Sequence, residues 1–216
     1  EWSDLDRLNR ERELVGIYLS AHPLDEYQII LENVCNVKMA ELADLTPLQN
    51  RDLVMGGVVT GVREGYTKTG KPYGVAKLED YSGSAEFIFF GNEWVEKKNF
   101  FNVGMFLYMK GKCQPKQWKQ DEYEVKVNTI ELLSDVKEEV IERLTVSVPL
   151  SEINDEFIEE FSSLAKAHPG NVLLDFYVRD EEGQHISLTS RKWKINVEKD
   201  IIAYLKSQSM LSYKIN

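Results

Sequence analysis

Tyr66-Thr67-Lys68-Thr69-Gly70-Lys71-Pro72-Tyr73-Gly74-Val75-Ala76-Lys77-Leu78-Glu79-Asp80-Tyr81-Ser82-Gly83-Ser84-Ala85-Glu86-Phe87-Ile88-Phe89-Phe90 is the stretch on which the fold turns. It reads as a basic, glycine-bearing turn, a strand, a tight acidic turn over residues 79–83 and a second strand. Another strand lies upstream at residues 54–62, and two more follow near residues 104–113 and 123–132. A helix-like segment, residues 92–100, separates the third strand from the fourth. Five short strands with a helix in that position are the layout of an OB-fold, a small β-barrel. Gly56-Gly57 suggests a bend in its first strand, and Trp94, Val95 and Phe100 would plug the barrel end.

Such a barrel binds single-stranded nucleic acid on its second and third strands and in two flanking loops. In this chain the first loop offers Arg63, Lys68 and Lys71 beside Tyr66 and Tyr73. The second, residues 114–120, sets Lys116 and Lys119 around Trp118, and Lys110 and Lys112 alternate on the strand leading into it. Cations answer phosphates and flat rings answer bases, which is the mixture that single-strand binders use. Phe87, Phe89 and Phe90 are expected to fill the barrel. Glu86 beside them opposes phosphate, so the expectation is weak, sequence-tolerant binding.

Charge across the chain sharpens that reading. The 216 residues carry a formal charge of −10, which argues against a nucleic-acid partner overall. By segment, residues 1–50 hold 4 basic and 10 acidic side chains, residues 51–134 hold 12 and 11, and residues 135–216 hold 10 and 15. Only the barrel segment escapes the acidity.

Several classes of chemistry find no support. Cys35 and Cys113 lack metal or redox spacing and read as buried reduced thiols of a cytoplasmic protein. His22 and His168 each precede a proline, which suits a turn better than a ligand set. Glu79-Asp80 belongs to a hairpin turn. Asp155, Glu156, Glu159 and Glu160 line a helix surface, and Asp180-Glu181-Glu182 form another turn. No carboxylates converge as a metal-dependent nucleotidyl transfer needs, so no catalytic residue, metal or cofactor is expected in this piece. No run of apolar residues approaches membrane-spanning length. Residue 1 is Glu with no leader after it, so no secretion signal is expected, and the missing Met suggests a piece of something longer.

The expected class is α+β in three parts: a helical arm (residues 1–50), the OB-fold (51–134) and a small α/β domain (135–216). In the arm, Leu5, Leu8, Val15 and Leu19 give residues 3–20 helical periodicity, a second helix covers residues 24–33, and a helical turn covers 38–45. Beyond residue 135 the reading is a short charged helix (136–143), a strand (144–150) and a helix (151–167). Two strands (171–179 and 184–190), a helix (198–207) and a last strand (210–215) follow. That β-α-β-β-α-β order suggests a split βαβ, ferredoxin-like sandwich.

Residues 11–27, Glu-Arg-Glu-Leu-Val-Gly-Ile-Tyr-Leu-Ser-Ala-His-Pro-Leu-Asp-Glu-Tyr, resemble a signature of the bacterial DNA polymerase III alpha subunit, the C-family replicative polymerase. Residues 68–80 resemble that family's basic loop and second OB strand, and residues 83–91 its third. His168-Pro169-Gly170-Asn171 and Ser190-Arg191-Lys192-Trp193-Lys194-Ile195 resemble its C-terminal domain. One departure is Ala21, where the family carries Gly; a helix tolerates Ala.

The resemblance implies that this is a C-terminal piece of a DNA-directed DNA polymerase, a nucleotidyltransferase whose catalytic domains lie upstream. It implies an OB domain that contacts single-stranded template DNA and a last domain that binds the tau subunit of the clamp loader. Trp193, Met210, Leu211 and Tyr213 are the expected contacts to tau. Two alternatives stay open: an OB-fold interaction module that touches no nucleic acid, and an anticodon-binding region of an aminoacyl-tRNA synthetase.

Overall fold

Strand β1 (Asp52–Tyr66) carries the first sheet because both its edges are paired. Its first half runs antiparallel to β4 (Phe106–Lys116), from Asp52 opposite Lys112 to Val58 opposite Phe106. From Val58 onward it pairs instead with β2 (Pro72–Asp80), ending with Tyr66 opposite Pro72. Strands β3 (Gly83–Phe90) and β5 (Lys119–Leu132) complete the order β3-β2-β1-β4-β5. This is the five-stranded antiparallel sheet of an OB-fold. The computed structural model describes residues 22–116, 119–136 and 139–215. The helix expected over residues 3–20, and with it part of the signature at 11–27, lies outside them. The chain divides into two units, residues 1–136 and 137–216.

Alternation builds the first unit's core. Leu53, Met55, Val59, Ala76, Leu78, Phe87, Phe89, Leu107, Met109 and Val127 all turn inward, each large one contributing about 1.5–3 kcal/mol by leaving water. The bend expected at Gly56-Gly57 falls elsewhere, since the register slips between Val59 and Gly61. Gly56 and Gly57 stay in regular register with β4 and serve close approach. A Cβ on Gly57 would lie 2.7 Å from the Glu79 carbonyl oxygen.

Helix α1 (Gln28–Asn33) follows a 3-10 turn at Asp25–Tyr27. Tyr27 packs on Phe106 of β4, with ring centroids 5.2 Å apart. A second 3-10 turn, Met39–Ala43, docks on the β2–β3 turn. There the Met39 N–H donates to Asp80 Oδ2 at 2.9 Å, and the Ala40 N–H to the Ser82 hydroxyl at 3.0 Å. Asp80 Oδ1 meanwhile accepts from the backbone N–H groups of Ser82 and Gly83, as turn aspartates do.

Helix α2 (Asn92–Lys97) inserts Trp94 between Phe89 and Phe101. Two expected plug residues behave differently. Val95 is 51% exposed, because the next position on a helix turns about 100° away. Phe100 is only half-buried, and Phe101 takes the inner position. Of the charged helix expected over 136–143, Val136 belongs to α3 (Leu133–Val136), residues 139–142 form no helix and Arg143 already begins a strand; residues 137 and 138 lie outside the described residues.

The second unit runs β6 (Arg143–Pro149), α4 (Asp155–Ala167), β7 (Pro169–Arg179), β8 (His185–Ile195), α5 (Lys199–Ser207) and β9 (Ser212–Ile215). The element order is the expected one and the α+β class stands. The spatial order differs from a split βαβ. The sheet reads β8-β7-β6-β9, with β6 and β7 adjacent and parallel, so no strand is inserted between them. The crossover through α4 sets β7 directly beside β6, and the turn over residues 180–183 folds β8 onto the far edge. Leu144, Val146 and Val148 face the same side as Leu174, Phe176 and Val178, where Phe161 of α4 meets Phe176 edge-on at 5.2 Å. Asn154 caps α4 by accepting the Phe157 N–H at 2.9 Å.

Candidate nucleic-acid interface

Since Phe87 and Phe89 of β3 point into the core, period-two alternation sends Ile88 and Phe90 outward. They are 55% and 54% exposed. The register places Arg63, Val75 and Ile88 in one row and Gly65, Tyr73 and Phe90 in the next. Tyr73 and Phe90 meet with ring centroids 6.1 Å apart. Phe90 is therefore a surface aromatic, contrary to the expectation that it fills the barrel. Strict alternation was the signal that could have found it. Lys77, unremarked in the sequence, is exposed one row further along.

At one end of this face the β1–β2 turn presents Tyr66, 77% exposed, with Lys68 and Lys71. The turn is tied by the Thr67 N–H to the Lys71 carbonyl at 2.8 Å and the Lys71 N–H to the Thr67 hydroxyl at 3.1 Å. Neither lysine is held in an ion pair among the described residues. Arg63 differs: its Nη2 donates to both oxygens of Glu86 at 2.9 Å. The carboxylate expected to oppose phosphate is thereby neutralised, and so is the guanidinium expected to attract it.

The second expected loop is mostly strand. Lys116 pairs directly with Lys119 across a β4–β5 ribbon, and Trp118 lies outside the described residues. Both lysines donate to Glu122, Lys116 at 2.7 Å. Those two hydrogen bonds hold the Glu122 carboxyl well below its usual range, at about 2. Glu122, passed over in the sequence, thus sits between the cations assigned to phosphate. Lys110 and Lys112 are exposed on β4, and the Lys110 ammonium lies 5.4 Å from the Tyr108 ring centroid. Lys97 and Lys126 are engaged with Glu93, and Lys97 also donates to the Val127 carbonyl at 2.6 Å.

The four residues expected to contact a partner do not form one surface. Trp193 lies in β8 beside Lys166, in the last turn of α4. Met210 and Leu211 line a cleft of roughly 330 Å³ with Glu152, Asn154, Phe157 and Glu160, at the opposite end of α4. The helix separates the two ends by about 18 Å. Tyr213 is half-buried opposite Val146, on the side that the helices cover. Among the described residues no group of three or more His, Cys, Asp or Glu side chains is arranged to hold a metal, and no helix is long and apolar enough to cross a membrane.

Residues 53–133 match the family of OB-fold nucleic acid binding domains, and residues 144–216 match the DNA polymerase III alpha subunit, C-terminal domain. Over 95% of its length the chain is 27% identical to DNA polymerase III subunit alpha of Vibrio cholerae. Along nearly its whole length the chain is similar to a stretch of the DNA polymerase III alpha subunit. It is 24% identical to the alpha subunit of Bacillus subtilis over 94% of its length, and 33% identical to that of Treponema pallidum over 47%. It spans 18% of the Vibrio cholerae relative and 17% of the Bacillus subtilis one, so it corresponds to a small part of an alpha subunit.

Proposed function

We propose that this chain is the template-handling and docking end of a cytoplasmic replicative polymerase, a DNA-directed DNA polymerase whose catalytic chemistry lies in the remainder of its polypeptide. The barrel holds single-stranded template DNA weakly, and the C-terminal unit docks the clamp-loader tau subunit. The piece itself has no nucleotidyltransferase activity in this reading. The observation that carries it is the outer face of β1, β2 and β3, where Tyr73, Ile88 and Phe90 lie beside a turn bearing Lys68 and Lys71. Exposed rings for bases next to unpaired cations for phosphates are what a sequence-tolerant single-strand binder requires.

The test is anisotropy of a labelled oligothymidylate titrated with the chain at two salt concentrations. Replacing Lys68 and Lys71 with Ala should make log K against log[salt] shallower by about 0.7 for each phosphate no longer neutralised. An unchanged slope removes this turn from the interface. Absence of any oligonucleotide binding would leave the barrel as a protein-interaction module, which the Arg63–Glu86 and Lys116–Glu122 pairs also suit.

A further inference from the structure

We propose that the second unit carries a separate contact for single-stranded nucleic acid, built by Arg191, Lys192, Trp193 and Lys194 of β8 with Lys166 of α4. It rests on the nucleic-acid reading above but uses different residues.

The geometry begins with a slip in register. Leu173 pairs with Lys194 and Asp175 with Thr189, so one residue of β7 faces four of β8, Ser190 through Trp193. The strand bows out there, as bulged strands do. The Ser190 hydroxyl braces the bow by accepting the Trp193 N–H at 3.0 Å. Arg191 and Lys192 are exposed on it, and Trp193 is half-buried. The Lys192 ammonium lies 4.8 Å from the indole centroid and that of Lys166 lies 5.8 Å away. Two elements distant in sequence thus bring cations to one flat ring.

Charge gives the patch its direction. Residues 135–216 carry 10 basic and 15 acidic side chains, yet no acidic residue occurs between Glu182 and Glu198, where Arg191, Lys192 and Lys194 lie. Elsewhere in the unit Arg143 is paired with Asp175, and His168 faces Glu198 and Asp200. No ion pair of the described residues holds Lys166, Arg191, Lys192 or Lys194. Unpaired cations on an acidic body focus attraction on polyanions. A guanidinium, ammonium groups and an indole together fit phosphate plus base, with Arg and Trp supplying stacking planes. An acidic peptide would satisfy the charges and leave the ring without a role.

The experiment uses the whole chain, a labelled oligothymidylate and the Arg191→Ala, Lys192→Ala, Lys194→Ala triple variant. Affinity should fall roughly three- to tenfold, with a salt slope shallower by about 0.7 for each phosphate that the variant leaves unneutralised, and circular dichroism should be unchanged. With the unaltered chain, an oligonucleotide carrying 5-iododeoxyuridine should crosslink to the peptide containing Trp193. Intact affinity in the triple variant with no such crosslink overturns the inference. So does loss of binding to polyglutamate without loss of binding to the oligonucleotide, which would assign the patch to an acidic protein. The Lys68→Ala, Lys71→Ala variant separates the two readings. An effect there and none at β8 sinks only this site; the reverse sinks only the barrel turn.

Discussion

Arg63 and Glu86 neutralise each other across the outer face of the barrel, with one guanidinium nitrogen 2.9 Å from both carboxylate oxygens. Both side chains are exposed, so the pair adds little to stability, on the order of 0–1 kcal/mol. Its larger effect is to withhold a cation from the face that carries Tyr73 and Phe90. Glu86→Gln should therefore raise affinity for single-stranded DNA by roughly two- to fivefold and steepen the salt slope, with the melting temperature nearly unchanged. Anisotropy at low and moderate salt checks it. A weaker variant would mean that Glu86 itself contributes to binding.

The exposed rings should contribute as stacking platforms. Phe90→Ala should cost about 1–3 kcal/mol of binding, the usual worth of one stacked base. It should leave stability largely intact, because the side chain already faces solvent. Phe89→Ala is the control: it removes a buried ring that packs on Trp94 and Phe101 and should cost about 3–5 kcal/mol of folding free energy. Equal oligonucleotide affinity for Phe90→Ala and the unaltered chain would exclude this face.

Acid should loosen the β4–β5 ribbon. The Glu122 carboxyl is held at about 2 by Lys116 and Lys119, below its unfolded value of about 4.3. A depressed folded value contributes stability above the unfolded value and loses it as pH falls through the folded one. The loss should therefore run between about pH 4.5 and pH 2, and Glu122→Gln should abolish that part of the pH dependence. Carboxyl titration by NMR reads it directly. At neutral pH the same substitution should free both lysines and strengthen oligonucleotide binding.

Packing gives a sharper stability test at Gly74. A Cβ there would press into the Trp94 ring, which is buried and stacked on both sides. Gly74→Ala should destabilise the barrel by about 1–3 kcal/mol, as overpacking does, measured by urea denaturation. A neutral result would show that α2 can shift as a body.

The five OB strands, the Trp94 plug and the β-α-β-β-α-β order were legible in the sequence because alternation, turn residues and helix caps are local signals. What escaped depends on what lies opposite. Phe90 looked like core since three phenylalanines crowd four positions, although alternation along β3 exposes it. Arg63, Lys116 and Lys119 looked free because their carboxylate partners, Glu86 and Glu122, are brought to them by strand pairing and by the course of the chain, which no local pattern reports. The adjacency of β6 and β7 was hidden likewise, since element order alone does not say whether a strand slips between them.

If the second unit docks tau as proposed, the Met210 end of α4 should carry the contact. Met210 is 54% exposed beside Leu150 and Leu211, in an acidic setting that includes Glu152, Glu156 and Glu160. Methionine is enriched at the cores of protein interfaces, and disrupting a central anchor costs about 2 kcal/mol or more where it is a hot spot. Met210→Glu should thus weaken tau binding at least tenfold without unfolding the unit, since the side chain already meets solvent. Trp193→Ala, at the other end of the helix, should leave tau affinity within twofold. Surface plasmon resonance with immobilised tau compares the two, with circular dichroism on each variant. If Trp193→Ala proved the more damaging in a folded chain, the docking surface would move to the β8 bow, and Met210 would be an exposed residue without a partner.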